Sequence, residues 1–253
     1  MRTLARGVMA ALFGAALAAA AAGTVFAEET LTGAAILESV DETMSAPRDQ
    51  VVESTLVLID RDGGRKERTL QMLQKGASTR MVRFLAPADQ KGISVLSLPD
   101  GSIYLYLPAF KKVKRIASHV KNTEFAGTDF TYDDMEAKRY SEFYTAELVR
   151  AEADSYVIAL APRQAGASEY SKLIMWVRKD SFVPIVVEFY DAKGVLSRRM
   201  RSERVEKVGR YWVAREREME NIARGHKSTM IVTSLKFDSG LSDDMFTTRA
   251  LER

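Results

Sequence analysis

From residue 51 to residue 237, the apolar residues of this chain recur with a period of two, in short runs separated by turn residues. That period is the spacing of side chains on one face of a β-strand. Turn sequences such as Asp62–Gly64 and Pro99–Gly101 stand between the runs and are typical of hairpins. The pattern predicts an antiparallel sheet or barrel rather than βαβ units. The predicted strands lie near 51–60, 65–75, 78–86, 92–98, 102–107, 111–116, 142–151, 155–161, 171–179, 183–190, 195–206, 210–220 and 228–237.

The two faces of these strands differ along the chain. Strands 102–107 and 171–179 are apolar on both faces, which predicts a curved sheet around an apolar interior. Strands 195–206 and 210–220 are rich in arginine and glutamate, which predicts solvent-exposed, edge-like positions. The residues that carry this prediction are Arg198, Arg199, Arg201, Arg204, Arg215, Glu216, Arg217 and Glu218.

Something must cover the apolar interior, and two segments are candidates. Apolar residues recur at helical spacing between residues 31 and 44, with Thr32 placed to cap the helix and Pro47 beyond its end. The other candidate is the irregular segment 118–140.

The N-terminal residues have the organisation of an export signal. Arg2 and Arg6 precede an uncharged stretch that closes with Val25-Phe26-Ala27, where small residues occupy the positions that signal peptidase requires. We therefore expect residues 1–27 to be a signal peptide cleaved after Ala27, and residues 28–253 to form one domain in the periplasm. An uncleaved anchor is the alternative, but it needs about 20 apolar residues, a length reached here only by counting alanine and glycine.

Composition excludes several classes of site and partner. The chain has no cysteine, so the mature protein is not a lipoprotein and has no disulfide or thiolate metal site. Cleavage removes two of the 37 basic side chains and leaves 35 against 34 acidic ones. That balance gives no net field to attract a nucleic acid. Beyond Ala27 no apolar run is long enough for a membrane-spanning helix, so we do not expect an integral membrane protein.

Motifs for catalysis are missing from the sequence. The two histidines, His119 and His226, lie in no zinc-binding pattern, and neither a nucleophile elbow nor a phosphate loop is present. We expect a protein that is not an enzyme, with no catalytic residue, no cofactor and no metal.

Two charged clusters and the methionines each allow two interpretations. The acidic residues Asp129, Asp133, Asp134 and Glu136 could pair as carboxylates or bind calcium, but capping of a short helix by Thr131 or Asp129 explains them equally well. The basic run 111–115 is either a solvated strand or a contact for anionic head groups or an acidic partner. Nine methionines remain after residue 27, and methionine suits both ordinary cores and cavities for flexible apolar ligands.

Four segments resemble the outer-membrane lipoprotein-sorting protein family. They are Arg83–Gly92, Tyr104–Pro108, Phe125–Asp134 and Pro184–Gly194, and the third is the most specific. The resemblance implies a LolA/LolB-like fold: mainly β with few helices, an incomplete antiparallel barrel of about eleven strands that encloses a hydrophobic cavity under a helical lid. It also implies that the cavity holds acyl chains. Members of this longer type are often associated with exporters of the resistance-nodulation-division class. The functional arginine of the family's periplasmic carrier has no obvious local match here, so the resemblance assigns no functional residue from that carrier.

The resulting hypothesis is a monomeric periplasmic carrier. It would bind an acylated lipid or lipoprotein and transfer it toward the outer membrane, with an inner-membrane exporter and an outer-membrane acceptor as partners. The alternative is a sensor of the same fold that detects lipid or binds an envelope signalling protein. An integral outer-membrane barrel is disfavoured because the charged strands at 195–220 would face lipid. The expected cavity wall comprises Phe84, Val95, Leu96, Ile103, Leu105, Phe125, Phe130, Tyr132, Met175, Trp176, Phe189 and Trp212, and the expected lid residues are Ile36, Val40 and Met44.

Overall fold

Thirteen strands occupy the predicted positions in the computed structural model, which describes residues 31–164 and 168–252. Their ends differ from the predicted ones by at most two residues, and the family resemblance underestimated their number. The expected signal peptide lies outside the described residues. The strands are β1 Asp49–Ile59, β2 Arg65–Lys75, β3 Thr79–Ala86, β4 Ser94–Ser97, β5 Ile103–Leu107, β6 Lys112–Arg115, β7 Tyr144–Ala151, β8 Ser155–Pro162, β9 Lys172–Arg178, β10 Pro184–Tyr190, β11 Leu196–Val208, β12 Tyr211–Asn221 and β13 His226–Phe237.

All strands belong to one antiparallel sheet, in the order β6-β5-β4-β3-β2-β1-β13-β12-β11-β10-β9-β8-β7. Strands β6 and β7 are its two edges and do not pair with each other, so the barrel is incomplete, as predicted. Side chains alternate between the faces: Val52 of β1 stands opposite Met72 of β2 and Leu235 of β13 on the inner face.

The charged strands β11 and β12 correct one prediction, because they lie inside the sheet rather than at its edge. Their charges are exposed on one face, where arginines and glutamates form cross-strand ion pairs such as Arg201–Glu218 and Arg204–Glu216. A strand with one solvent-exposed face and a strand at the edge of a sheet are both rich in charged residues, so composition alone does not distinguish them. Arg198 and Arg217 depart from the expected exposure altogether and lie on the inner face.

Three α-helices accompany the sheet: α1 Gly33–Ser45, α2 Tyr132–Met135 and α3 Tyr140–Phe143. Helix α1 begins as predicted, with the Thr32 hydroxyl accepting a hydrogen bond from the Ala35 amide at 3.2 Å. Its first residue needs to be glycine, because a Cβ on Gly33 would lie 2.5 Å from the carbonyl carbon of Glu147 in β7. Helix α1 therefore packs directly against backbone at one edge of the sheet. Every helix in the described part of the chain is too short or too polar to span a bilayer.

A main core fills much of the curved sheet's interior. Helix α1 contributes Ile36, Leu37 and Val40, and the segment before α2 contributes Phe125 and Phe130. Both segments predicted to cover the interior therefore do so. The strand residues of this core include Leu56, Leu58, Val82, Phe84, Val95, Ile103, Leu105, Ile158, Leu160, Leu173, Met175, Val177, Val187 and Met219.

A second, smaller core lies on the opposite face of the sheet and was not expected. Short 3₁₀ helices at Asp243–Phe246 and Thr248–Glu252 pack Phe246 and Leu251 against the outer side of β3–β5. The Arg83 guanidinium donates to the Ala250 carbonyl at 2.6 Å. This C-terminal cover explains why β5 is apolar on both faces, since Tyr104 and Tyr106 pack under it.

Candidate functional site

One end of the main interior is hollow. A cavity of about 240 Å³ lies between the sheet, α1 and the segment before β7. Along β1 it is lined by Gln50, Val52 and Ser54, while Leu56 and Leu58 continue the same face into the packed core. We call these two parts the hollow end and the filled end. The other apolar residues of the hollow end include Leu70, Val82, Phe130, Leu173, Phe189, Trp212, Ala214, Val232, Leu235 and Phe237.

Methionine is concentrated at the hollow end. Six of the nine methionines that follow residue 27 line the cavity. An unbranched thioether side chain adapts its shape to irregular apolar partners at small energetic cost. The wall can therefore conform to ligands of different length. The six residues are Met44, Met72, Met135, Met200, Met219 and Met230.

Three arginines line this cavity, namely Arg80 and Arg217 on the sheet and Arg139 at the start of α3. Arg80 of β3 donates to the Gln74 side-chain oxygen at 3.0 and 2.7 Å and to the Glu136 carbonyl at 3.2 Å. Within the described residues, the Arg217 side chain of β12 donates one hydrogen bond, to the Met44 sulfur at 3.7 Å, and its Nε has no hydrogen-bond partner. Burial and the nearby charge of Arg217 lower the pKa of Arg80 to about 10. Burial likewise lowers the pKa of Arg217, and both groups remain charged at neutral pH.

A wider polar cleft of about 830 Å³ lies outside the cavity. The cleft and the cavity share a wall that includes Asp133, Glu136, Lys138, Arg139 and Tyr144. The segment 133–144 therefore separates the hollow end from the cleft. Its displacement would join the two spaces into a route for a ligand.

The residues from 125 to 143, which we call the lid segment, are attached to the sheet by the acidic cluster noted in the sequence. Asp129 is buried, and its Oδ2 accepts a hydrogen bond from the Ser228 hydroxyl at 2.7 Å and lies 2.6 Å from His226 Nδ1. Because the carboxylate stands between the hydroxyl and the imidazole, the group lacks the order of a catalytic triad, in which histidine is central. Its role is to hold the lid segment on β13.

Asp134 makes the second attachment, to β11. Its carboxylate accepts two hydrogen bonds from Arg198, at 3.0 and 2.8 Å. Burial would lower the pKa of Arg198, but the charge and hydrogen bonds of Asp134, together with Tyr170 and Glu169, outweigh burial and raise it. The same carboxylate completes a capping box with Thr131 at the start of α2, which confirms the capping interpretation for Thr131.

Helix α1 and the lid segment are joined through Asp41. This buried carboxylate accepts hydrogen bonds from the backbone amides of Tyr140 and Ser141, at 2.7 and 2.8 Å. Helix α3 has no cap from its own N-cap residue, Arg139, so a side chain from α1 supplies one. Burial raises the pKa of Tyr140 to about 12, so its phenol is neutral beside the cavity.

The structure separates the residues that were expected to form one wall. Phe130, Phe189, Trp212 and the lid residue Met44 line the hollow end. Leu96 packs under the C-terminal cover, and Trp176 lies on the outer face with the Arg150 guanidinium 5.9 Å from its ring centre. The remaining expected wall and lid residues pack in or against the main core rather than on the cavity, namely Phe84, Val95, Ile103, Leu105, Phe125, Tyr132, Met175, Ile36 and Val40.

Sequence reasoning did not select Arg80, Arg217 or Asp41. Arg215 and Arg217 occupy alternate positions on β12 and would be assigned to the same face. Yet Arg215 pairs with the exposed Glu206, whereas Arg217 lines the cavity. Strict alternation of side chains along β12 therefore does not predict that Arg217 faces the cavity.

The sequence and fold of this chain are similar to those of known proteins. A family model described as "Uncharacterized protein" matches residues 76–253. A domain assigned to outer membrane lipoprotein sorting, from Vibrio parahaemolyticus, is 28% identical, with a TM-score of 0.76 over 86% of this chain and 98% of that one. None of the curated proteins searched matches the sequence.

Two further solved structures share the fold at lower identity. A DUF1329 family protein from Desulfovibrio piger is 24% identical, with a TM-score of 0.81 over 87% of this chain and 97% of its own. A LolA superfamily protein from Nitrosomonas europaea is 22% identical, with a TM-score of 0.73 over 87% of this chain and 99% of its own. The predicted fold class is confirmed.

Proposed function

Because this chain belongs to the LolA-like family of outer-membrane lipoprotein-sorting proteins, we propose that it is a periplasmic carrier of acylated molecules. It would bind acyl chains of a lipid or lipoprotein at the hollow end and deliver them toward the outer membrane. An inner-membrane exporter of the resistance-nodulation-division class is the proposed donor.

The observation that carries this proposal is the methionine-rich cavity beneath a lid held by polar contacts. Burial of a sixteen-carbon chain, at about 0.8 kcal/mol per CH₂, yields on the order of 12 kcal/mol as an upper figure. That is enough to keep a lipid out of water. Release then needs only an acceptor that offers comparable burial, so transfer requires no chemistry by the carrier.

The cavity is small for a ligand-binding site. Its 240 Å³ is below the roughly 300–1,000 Å³ of ordinary small-molecule sites. Entry of a long chain must therefore enlarge the space, either by rearranging the methionines or by displacing the lid segment. The adjoining cleft supplies room for the second movement.

The direct test is native mass spectrometry of the mature protein, purified from periplasm without detergent, with solvent extraction of bound material. We expect a discrete acylated species at about one per chain. A bare protein that also fails to take up added lipids or acylated peptides would contradict the proposal. Retention of one protein partner without ligand would instead favour the sensor hypothesis.

A matched pair of variants localises the site. Ala214→Trp places an indole into the cavity from a buried position, whereas Val195→Trp adds the same side chain at an exposed hairpin. We expect the first variant to lose the bound species and the second to retain it. Equal retention by two folded variants, checked by circular dichroism, would place ligand binding elsewhere.

A further inference from the structure

Charges at the hollow end are unevenly balanced. Among the described residues, each of the four acidic side chains on the cavity wall has a hydrogen-bond or ion-pair partner, whereas none of the three wall arginines, Arg80, Arg139 and Arg217, has a carboxylate within 4 Å. Arg80 and Arg217 are the two that lie on the sheet. The committed contacts are Asp41 with the amides of Tyr140 and Ser141, Asp133 with Lys138, Asp134 with Arg198, and Glu136 with Lys121.

Such an arrangement opposes folding, because a buried charge without a counter-ion is destabilising. The Arg217 Nε, buried and without a hydrogen-bond partner, intensifies that penalty. Arg80 stands near enough for the two positive charges to repel each other. Arg80 and Arg217, which are partly buried and lack a carboxylate partner, are therefore accounted for if an anion bound in the cavity pairs with them.

We propose that the ligand of the hollow end is an anionic amphiphile, whose phosphate or carboxylate group binds between Arg217 and Arg80 while its acyl chain lies against the methionines. This inference rests on the proposed carrier function and narrows its ligand class. Guanidinium groups bind both oxyanions through charge-assisted hydrogen bonds, and Arg217 has donors available for two of them. The neighbouring Tyr140 phenol, which is neutral, can donate a third.

The test uses pairs of probes that differ only in charge. Oleate is compared with oleyl alcohol, and oleoyl lysophosphatidic acid with mono-oleoylglycerol, by titration of the delipidated full-length mature protein below their micellar concentrations. We expect the anionic member of at least one pair to bind about tenfold or more tightly than its neutral counterpart. The probe pair with the larger ratio of affinities shows whether a carboxylate or a phosphate is preferred. Competition by inorganic phosphate tests whether the headgroup alone is enough for binding.

Variants assign the preference to its residues. Arg217→Gln should reduce the ratio of the two affinities to near one by weakening binding of the anionic probe, and Arg80→Gln should reduce the ratio in part. Arg215→Gln is the control, because Arg215 lies on the same strand but pairs with Glu206 at the surface. Ligand-free Arg217→Gln should also melt at a higher temperature than the wild type, since it removes an uncompensated charge; a purely structural arginine would give a lower melting temperature.

Three outcomes would overturn the inference. Equal affinity for the charged and neutral probes would refute it while supporting the carrier function. A charge preference retained in the Arg80→Gln, Arg217→Gln double variant would place the anion elsewhere. Failure of the wild type to bind any of the four probes would refute the inference, and failure to bind acylated peptides as well would refute the carrier function.

Discussion

The filled end and the hollow end of the interior are built on the same strands but meet different demands. At the filled end, Phe84 and Phe125 stack with ring centres 5.4 Å apart, and both are fully buried. At the hollow end, the wall contains six methionines, aromatic residues that are buried or partly exposed, and arginines without a carboxylate partner. Rigid packing supplies stability to the fold, whereas adaptable side chains around unsatisfied charge favour binding.

The strongest test of this difference is truncation at each end. Phe84→Ala should lower the free energy of unfolding by about 3–5 kcal/mol, because it leaves a cavity in close-packed surroundings. Met72→Ala should lower it by less than about 2 kcal/mol, because Met72 already borders open space. Chemical denaturation measures both values. Equal losses would show that the hollow end is packed as tightly as the filled end in solution.

Two consecutive arginines of β11 make ion pairs on opposite faces of the sheet. Arg198 holds the lid segment through Asp134, and Arg199 pairs with Glu188. Asp134→Ala leaves the Arg198 charge buried and unpaired, which should cost about 3–5 kcal/mol of stability. Removing the neighbouring pair on the outer face, with Glu188→Ala, leaves Arg199 partly solvated and should cost at most about 1 kcal/mol. Hydrogen exchange should show faster opening of residues 125–143 in Asp134→Ala alone. Comparable effects of the two variants would exclude a special role for the inner pair.

Asp49 holds the start of the C-terminal segment and provides a test through pH. Burial would raise the pKa of Asp49, but backbone hydrogen bonds from Ser239, Gly240 and Leu241 outweigh burial and lower it. Since the folded-state pKa is the lower one, Asp49 contributes stability that is present above about pH 4 and lost as the pH falls through the folded-state value.

Asp49→Asn should therefore be less stable than the wild type by about 1–3 kcal/mol at pH 7. The gap should narrow as the pH is lowered below 4. Thermal unfolding of both proteins across this range measures it. A gap that is constant with pH would contradict the assignment of the hydrogen bonds to the ionised carboxylate.

The smallest expected change in stability is also the most specific to the hollow end. Met230→Leu conserves volume and should alter the free energy of unfolding by less than about 1.5 kcal/mol. It should nevertheless restrict the range of acyl-chain lengths that bind, because a branched side chain adapts less. Titration with a series of fatty acids compares the variant with the wild type. An unchanged range would show that methionine flexibility is not what accommodates the ligand.

Much of the sheet was predictable from local pattern. Periodicity and turn residues located every strand of the described chain, Thr32 was identified as a cap, and Thr131 was one of two candidate caps. These features were predictable because hairpins and helix ends depend on residues close together in the chain. The site was less predictable. Only Phe130, Phe189, Trp212 and Met44 of the expected set line the cavity, because an apolar residue on an inner face can belong to either end.

The sequence by itself determined that this chain forms an antiparallel sheet with an apolar interior and few helices. Those properties follow from a period of two and from the short range of turns. Only the tertiary structure decided where the interior is hollow, that the C-terminal residues cover the outer face, and that Arg217 points inward while Arg215 does not. These features depend on which segments distant in the chain come into contact and on local departures from strict alternation. Neither can be predicted from residues that are close in the sequence.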